Sequence, residues 1–122
     1  MDRVESGLRL ILKYQEAFNR RDVAALAGLL TDDCVFETAD PAPDGLVLQG
    51  KREVVPYLEG FFQRSPESFL KVEEVFGLGL RSVLRWRLDW VDAEGIQRHA
   101  RGADLFQLRN GFLSEKFSYT KG

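Results

Sequence analysis

One cysteine and one histidine stand in the 122 residues, and those two scarcities close off much chemistry. With Cys34 alone no intrachain disulfide forms and a cysteine-based zinc site lacks ligands; with His99 alone a dedicated transition-metal site lacks its imidazoles, so no metal is expected. No serine sits in a Gly-x-Ser-x-Gly elbow, and a serine triad would have only His99 to use. Gly77-Leu-Gly79 lacks the following helix and the spacing of a dinucleotide loop. Neither charge sign dominates: 17 Lys and Arg against 19 Asp and Glu leave a formal charge of −2. No global field draws nucleic acid or an anionic membrane, so neither is expected as a partner. Long apolar runs are missing too. The opening MDRVESGLRLILKY carries acids at 2 and 5 and a broken apolar stretch, unlike a secretory core or a membrane span, and a cytoplasmic location is expected.

What is present suits an ordinary globule. Hydrophobic residues make up 44% of the chain and prolines number four, so one domain over 1–122 with one core and room for a small pocket is expected. Apolar positions 4, 8, 11 and 18, widened by Leu10, Leu12, Tyr14 and Ala17, repeat at helical spacing and predict a helix over 4–18. Asp22 caps a second, short helix over 23–30, and a strand follows over 34–38. Pro41, Pro43 and Gly45 make a loop. A third helix is predicted over 50–64, with Pro56 either kinking it or marking a late start. Downstream the period falls to two, giving strands over 69–76, 80–91, 96–109 and 112–120 joined by hairpin turns at 92–95 and 109–111. Three helices before a long meander describe an α+β domain: a cone, its helices packed on a strongly curved antiparallel or mixed sheet.

The string Tyr14-Gln-Glu-Ala-Phe-Asn-Arg-Arg-Asp22, then Leu29-Leu30-Thr-Asp-Asp-Cys-Val-Phe-Glu37, resembles the opening of the nuclear transport factor 2-like superfamily, in its SnoaL-like and ketosteroid isomerase branch. Gly102-Ala-Asp-Leu-Phe-Gln-Leu-Arg-Asn-Gly111 and Glu115-Lys-Phe-Ser-Tyr119 resemble its end. That superfamily hosts isomerases, dehydratases, cyclases, epoxide hydrolases and non-catalytic binders on one fold, and the resemblance implies that fold here, a cystatin-like roll. The resemblance implies a cofactor-free enzyme of isomerase, cyclase or dehydratase type acting by acid-base chemistry on an apolar carbonyl, polyketide-like or steroid-like compound. Its alternative is a non-catalytic, dimeric binding module with the same cavity. In the isomerase arrangement one aspartate moves a proton while a tyrosine and a protonated aspartate hold the enolate oxygen. By position Tyr14 matches that tyrosine and Asp104 the protonated aspartate, while the base position falls on Thr38, which is no base near neutral pH.

Residue by residue, alternatives stay open. Leu105 and Phe106 beside Asp104 favour its neutral, proton-carrying form, unless an arginine such as Arg101 pairs with it. Tyr14 lies on the flank of the buried stripe, its hydroxyl served either by a pocket or by backbone. Asp40 shares the facing of Thr38 and reaches the cavity mouth as a candidate for the proton, or simply starts a loop. His99 is the one group suited to proton transfer at neutral pH, or an ordinary strand residue. Phe18, Thr38, Trp86, Trp90, Arg101, Phe106, Phe117 and Tyr119 are expected around the pocket. A symmetric turn at 92–95 would split the apolar set between two sheet faces, so a β-bulge at 101–103 is expected, with Gly102 supplying its backbone angles. That bulge would bring His99 and Arg101 to the cavity side along with Asp104. Arg81, Arg85 and Arg87 describe a solvated or subunit face, and with Val83 and Val91 on that strand a homodimer across it is expected.

Overall fold

The computed structural model describes residues 3–121. The elements run α1 (Arg3–Asn19), α2 (Val23–Gly28), β1 (Leu30–Glu37), β2 (Val47–Gln49), α3 (Gly50–Arg64), β3 (Phe69–Leu78), β4 (Arg81–Val91), β5 (Gln97–Arg109) and β6 (Phe112–Thr120). The six strands form one open sheet in the order β2-β1-β6-β5-β4-β3. The pair β1–β6 is parallel and the other neighbours antiparallel, so the sheet is mixed. Asp22 caps α2 as its sequence predicts, accepting from the Ala25 amide at 3.0 Å. Helix α3 runs through Pro56 without a late start. The first strand begins at Leu30, four residues before the predicted position, and β2 is an addition whose three residues carry too little pattern to read.

The inner face of the sheet and the apolar stripes of the helices meet in one core. Ile11, Tyr14 and Ala17 of α1, Leu26 of α2, Val54, Leu58 and Phe62 of α3, and Leu84, Phe106 and Leu113 of the sheet are all buried. Two of the sheet's irregularities reset which residues face inward as the sheet bends. On β3 Val72 pairs with Trp86 but Glu74 pairs with Arg85, leaving Glu73 extra. On β6 Leu113 pairs with Leu108 but Glu115 pairs with Gln107, leaving Ser114 extra, its hydroxyl donating to the Gln107 carbonyl at 3.1 Å.

The bulge expected at 101–103 is absent. Strands β4 and β5 pair without interruption from Arg81↔Gln107 to Val91↔Gln97, and Trp86 stands opposite Gly102. The residue that corrects the alternation lies in the turn. Asp92 and Ile96 close a three-residue loop, the Asp92 amide donating to the Ile96 carbonyl at 2.9 Å, with Gly95 at φ 80°. A three-residue hairpin with glycine in the left-handed region shifts the facing by one relative to a four-residue turn. The Asp92 carboxylate holds this loop by accepting from the Glu94 and Ile96 amides and the Arg98 guanidinium, and those bonds, the Ile96 amide first, hold it below the ordinary carboxylate range.

Gly102 has another task. A Cβ there would lie 2.5 and 2.8 Å from Cζ2 and Cη2 of Trp86 and well inside contact of the Tyr119 carbonyl oxygen. The absent side chain is the seat of the indole.

Candidate functional site

A cavity of about 290 Å³ opens between α1, α3 and the inner sheet face. Its walls are apolar and aromatic: Phe18, Phe61, Leu70, Trp86, Leu88 and Trp90. Phe18 packs on Phe61 and Phe62 at ring-centroid distances of 5.5 and 5.1 Å, fixing the helical side. At the other side the Asn19 amide locks the end of α1 to the start of β3, donating to the Leu70 carbonyl at 2.9 Å and accepting from its amide at 2.8 Å.

Polar groups converge at the floor. Asp104 is 2% exposed, and its Oδ1 accepts from Trp86 Nε1 at 3.0 Å. Lys116 Nζ lies 3.6 Å from Asp104 Oδ2, donates to Ser118 Oγ at 3.0 Å and stands 5.2 Å from the centre of the Phe36 ring. The indole N–H and the ammonium both donate, so Oδ1 of Asp104 acts as an acceptor here, with a cation beside Oδ2.

Tyr14 packs edge-on against Phe36 and Phe106, 6.4 Å from each, and its buried hydroxyl has no partner among the described residues. Burial first, then the nearby Asp104 charge, pushes its phenol far above the ordinary range. The group is a fixed O–H donor. An unpaired buried hydroxyl costs roughly 1–3 kcal/mol, which a ligand oxygen would recover. Gln15, next along α1, is also buried with its Oε1 unpartnered.

Thr38 lines the mouth, and its hydroxyl is fully engaged. It donates to the Asp40 carbonyl at 2.6 Å and accepts from the Leu46 amide at 2.9 Å, clasping the loop over 39–46. Gly45, at φ 73°, packs directly on the Thr38 carbonyl, where a Cβ would not fit. Asp40 is exposed on the rim, close to Tyr57, whose phenol burial pushes up while Arg64 partly opposes the shift.

Of the residues expected around the pocket, Tyr14, Phe18, Thr38, Asp40, Trp86, Trp90 and Asp104 line it together. Five do not. His99 and Arg101 occupy odd positions of β5, on the outer face with Asp89 and Arg87 opposite them; His99 is exposed and Arg101 pairs with Glu73 at 3.2 Å. Phe106 is fully buried beneath Tyr14, in the core behind the cavity. Phe117 and Tyr119 also face outward, because the extra residue Ser114 reverses the alternation along β6. The same reversal delivers Lys116, Ser118 and Thr120 to the cavity, and sequence reasoning missed all three. Gln15 was missed although a signal existed: it lies four residues after Ile11 and three before Phe18, on the helix's buried face. Among the described residues no group of His, Cys, Asp and Glu is arranged to hold a metal ion.

The sequence model of the SnoaL-like domain matches residues 11–116. No curated protein sequence matches the chain significantly. Among solved structures, a nuclear transport factor 2-like protein of unknown function from Mesorhizobium loti is 31% identical, with a TM-score of 0.84 over 100% of this chain and 96% of that one. A polyketide cyclase candidate from Xanthomonas campestris is 20% identical with a TM-score of 0.84, covering 98% of this chain and 93% of its own. An LEH-like epoxide hydrolase of M. tuberculosis is 14% identical with a TM-score of 0.83, covering 98% and 86%. These last two likenesses establish the fold alone.

Proposed function

The chain belongs to the SnoaL-like domain family, and from that premise we propose that its cavity binds a small, largely apolar carbonyl or enol compound, polyketide-like or steroid-like, and moves a proton on it. The observation that carries this reading is the buried Tyr14 hydroxyl, unpartnered and in the field of the Asp104 carboxylate. A ligand carbonyl seated there accepts from Tyr14. As a proton leaves the neighbouring carbon, charge builds on that oxygen, and a preorganised donor stabilises it by a few kcal/mol. Asp104 is the carboxylate at hand to take the proton, with Trp86 and Lys116 holding it in place; Asp40 on the rim is the further candidate. None of these steps calls for a cofactor. The Xanthomonas and M. tuberculosis neighbours, by their descriptions, suit small-molecule chemistry in such a cavity.

The test is solvent-proton exchange into a flat enolisable ketone such as 1-tetralone in D₂O, followed by NMR. The protein should accelerate exchange, and Tyr14→Phe and Asp104→Asn should each slow it by about 10²-fold or more. Binding with no exchange would instead favour a non-catalytic module, a second reading supported by the engagement of Thr38, at the expected base position, in its loop. Both readings include a homodimer across the outer sheet face, where Phe76, Val83, Leu105 and Phe117 form an apolar strip.

A further inference from the structure

We infer that Gln15 is a ligand-positioning residue, and that the molecule the cavity takes carries a hydroxyl group in addition to the oxygen held by Tyr14. This rests on the pocket assignment just proposed and deepens it to a class: hydroxylated ketones rather than plain ones. Five buried side-chain polar atoms lack a hydrogen-bond partner among the described residues: Tyr14 Oη, Gln15 Oε1, Arg21 Nε, Thr31 Oγ1 and Ser82 Oγ. The first two belong to side chains that line the cavity and the other three do not. Gln15 is 4% exposed and its Oε1 is itself buried, so bulk water does not serve that oxygen.

The two orphans have opposite characters. Tyr14 offers a donor, which a carbonyl oxygen satisfies; the Oε1 of Gln15 only accepts, so it needs an O–H or N–H. A hydroxyl is the better match, because it donates to Oε1 and can accept from the same amide's nitrogen, whereas an ammonium only donates. The charged groups of the floor do not fill this role, since Asp104 is held by Trp86 and Lys116, and Lys116 by Ser118. The positions also differ. Adjacent helical residues point about 100° apart. Tyr14 turns to Phe36 and Phe106, while Gln15 lies toward β3 with Leu70. A ligand serving both therefore separates its carbonyl and hydroxyl across its frame, and the position of the hydroxyl decides affinity. A site built to hydrogen-bond such a group discriminates against the analogue that lacks it, because the protein's own polar atom is left unpaired.

The experiment uses the full chain and four probes: 1-tetralone and its 5-, 6- and 7-hydroxy derivatives, with dissociation constants from calorimetric titration. At least one hydroxy isomer should bind the unaltered protein about tenfold more tightly than 1-tetralone. In Gln15→Leu, and in Gln15→Met as the unbranched control, the ratio of hydroxy-isomer to 1-tetralone affinity should fall to about one, whatever the affinity for 1-tetralone itself. Tyr14→Phe should weaken all four. Four probes bound alike by the unaltered protein, or a hydroxyl advantage that survives both Gln15 variants, would overturn the role of Gln15 and leave the pocket assignment standing. If none of the four binds, both fall.

Discussion

Replacing Gly102 by alanine tests how the floor of the cavity is built. The added methyl would meet Cζ2 and Cη2 of Trp86 at 2.5 and 2.8 Å and press on the Tyr119 carbonyl. That carbonyl is held in the β5–β6 ladder, where Gly102 pairs with Thr120, so the indole is the part that must move. Moving it breaks the 3.0 Å bond from Nε1 to Asp104, a carboxylate with 2% exposure. Overpacking costs about 1–3 kcal/mol. Losing a hydrogen bond to a charged group costs about 1.5–3 kcal/mol more. Together they reach roughly 3–6 kcal/mol, a large share of the 5–15 kcal/mol typical of a domain. With an unfolding entropy of about 0.26 kcal/mol/K for a chain of this length, Tm should drop by roughly 12–23 °C. Thermal unfolding followed by circular dichroism measures this. In a Trp86→Leu background the cost of alanine should fall by at least about 1 kcal/mol, since contacting residues couple. A Gly102→Ala protein melting within about 4 °C of the parent, or an alanine cost indifferent to Trp86, would refute the reasoning.

Alkaline pH should destabilise the fold through its buried phenols. An unfolded tyrosine ionises near pH 10, whereas burial holds the Tyr14 proton far above that. Above pH 10 the native state thus keeps a proton the unfolded chain has lost, and stability should fall by about 1.4 kcal/mol per pH unit for each such tyrosine. Tyr14→Phe should remove one such slope in chemical denaturation between pH 10 and 11.5; an unchanged slope would contradict the burial of its hydroxyl. Thr38→Val deletes the clasp on the loop over 39–46 and leaves the Leu46 amide unserved, at a cost of about 1–3 kcal/mol; proteolysis should then begin in that loop, and cleavage no faster than in the parent would deny the clasp. Cys34 is fully buried and its thiol pushed up by that burial, so it should react with a thiol reagent only on unfolding. Light scattering at micromolar concentration should give about twice 13.9 kDa for the proposed homodimer, and a monomer mass would end that proposal.

The fold was legible because its largest signals are periodic. Three helices and four long strands stand where spacing of 3.6 and 2 places them, and the sheet is mixed because β1 lies parallel to β6. What resisted was short or irregular: β2, with three residues, and the start of β1 at Leu30, hidden behind the polar run Thr31-Asp32-Asp33. Gly102 was read as a residue that bends the chain. It serves instead as empty space, and nothing in a sequence distinguishes a glycine needed for its φ from one needed for its missing Cβ.

The site was less legible for a reason that single-residue arithmetic explains. Along a strand one inserted residue exchanges every following side chain between faces, so a site made from strand residues depends on where the insertions fall. Counting alternation forward from Leu113 puts Phe117 and Tyr119 inside, an apolar and agreeable answer. The bulge at Ser114 puts Lys116 and Ser118 there. Aromatic residues at period two are satisfied on either face of a sheet that has an apolar strip outside, so hydrophobicity could not choose between the two registers. Charge could have. With Asp104 placed on the inner face beside Trp86, a buried carboxylate calls for a cation, and Arg101, three residues away on its own strand, cannot supply it because its odd position faces the outer side. The neighbouring strand must then offer one, and Lys116 is the basic residue of β6. Requiring a partner for Asp104 thus selects the bulged register over the regular one, and the electrostatic demand of one aspartate outweighs the pattern of two aromatic rings.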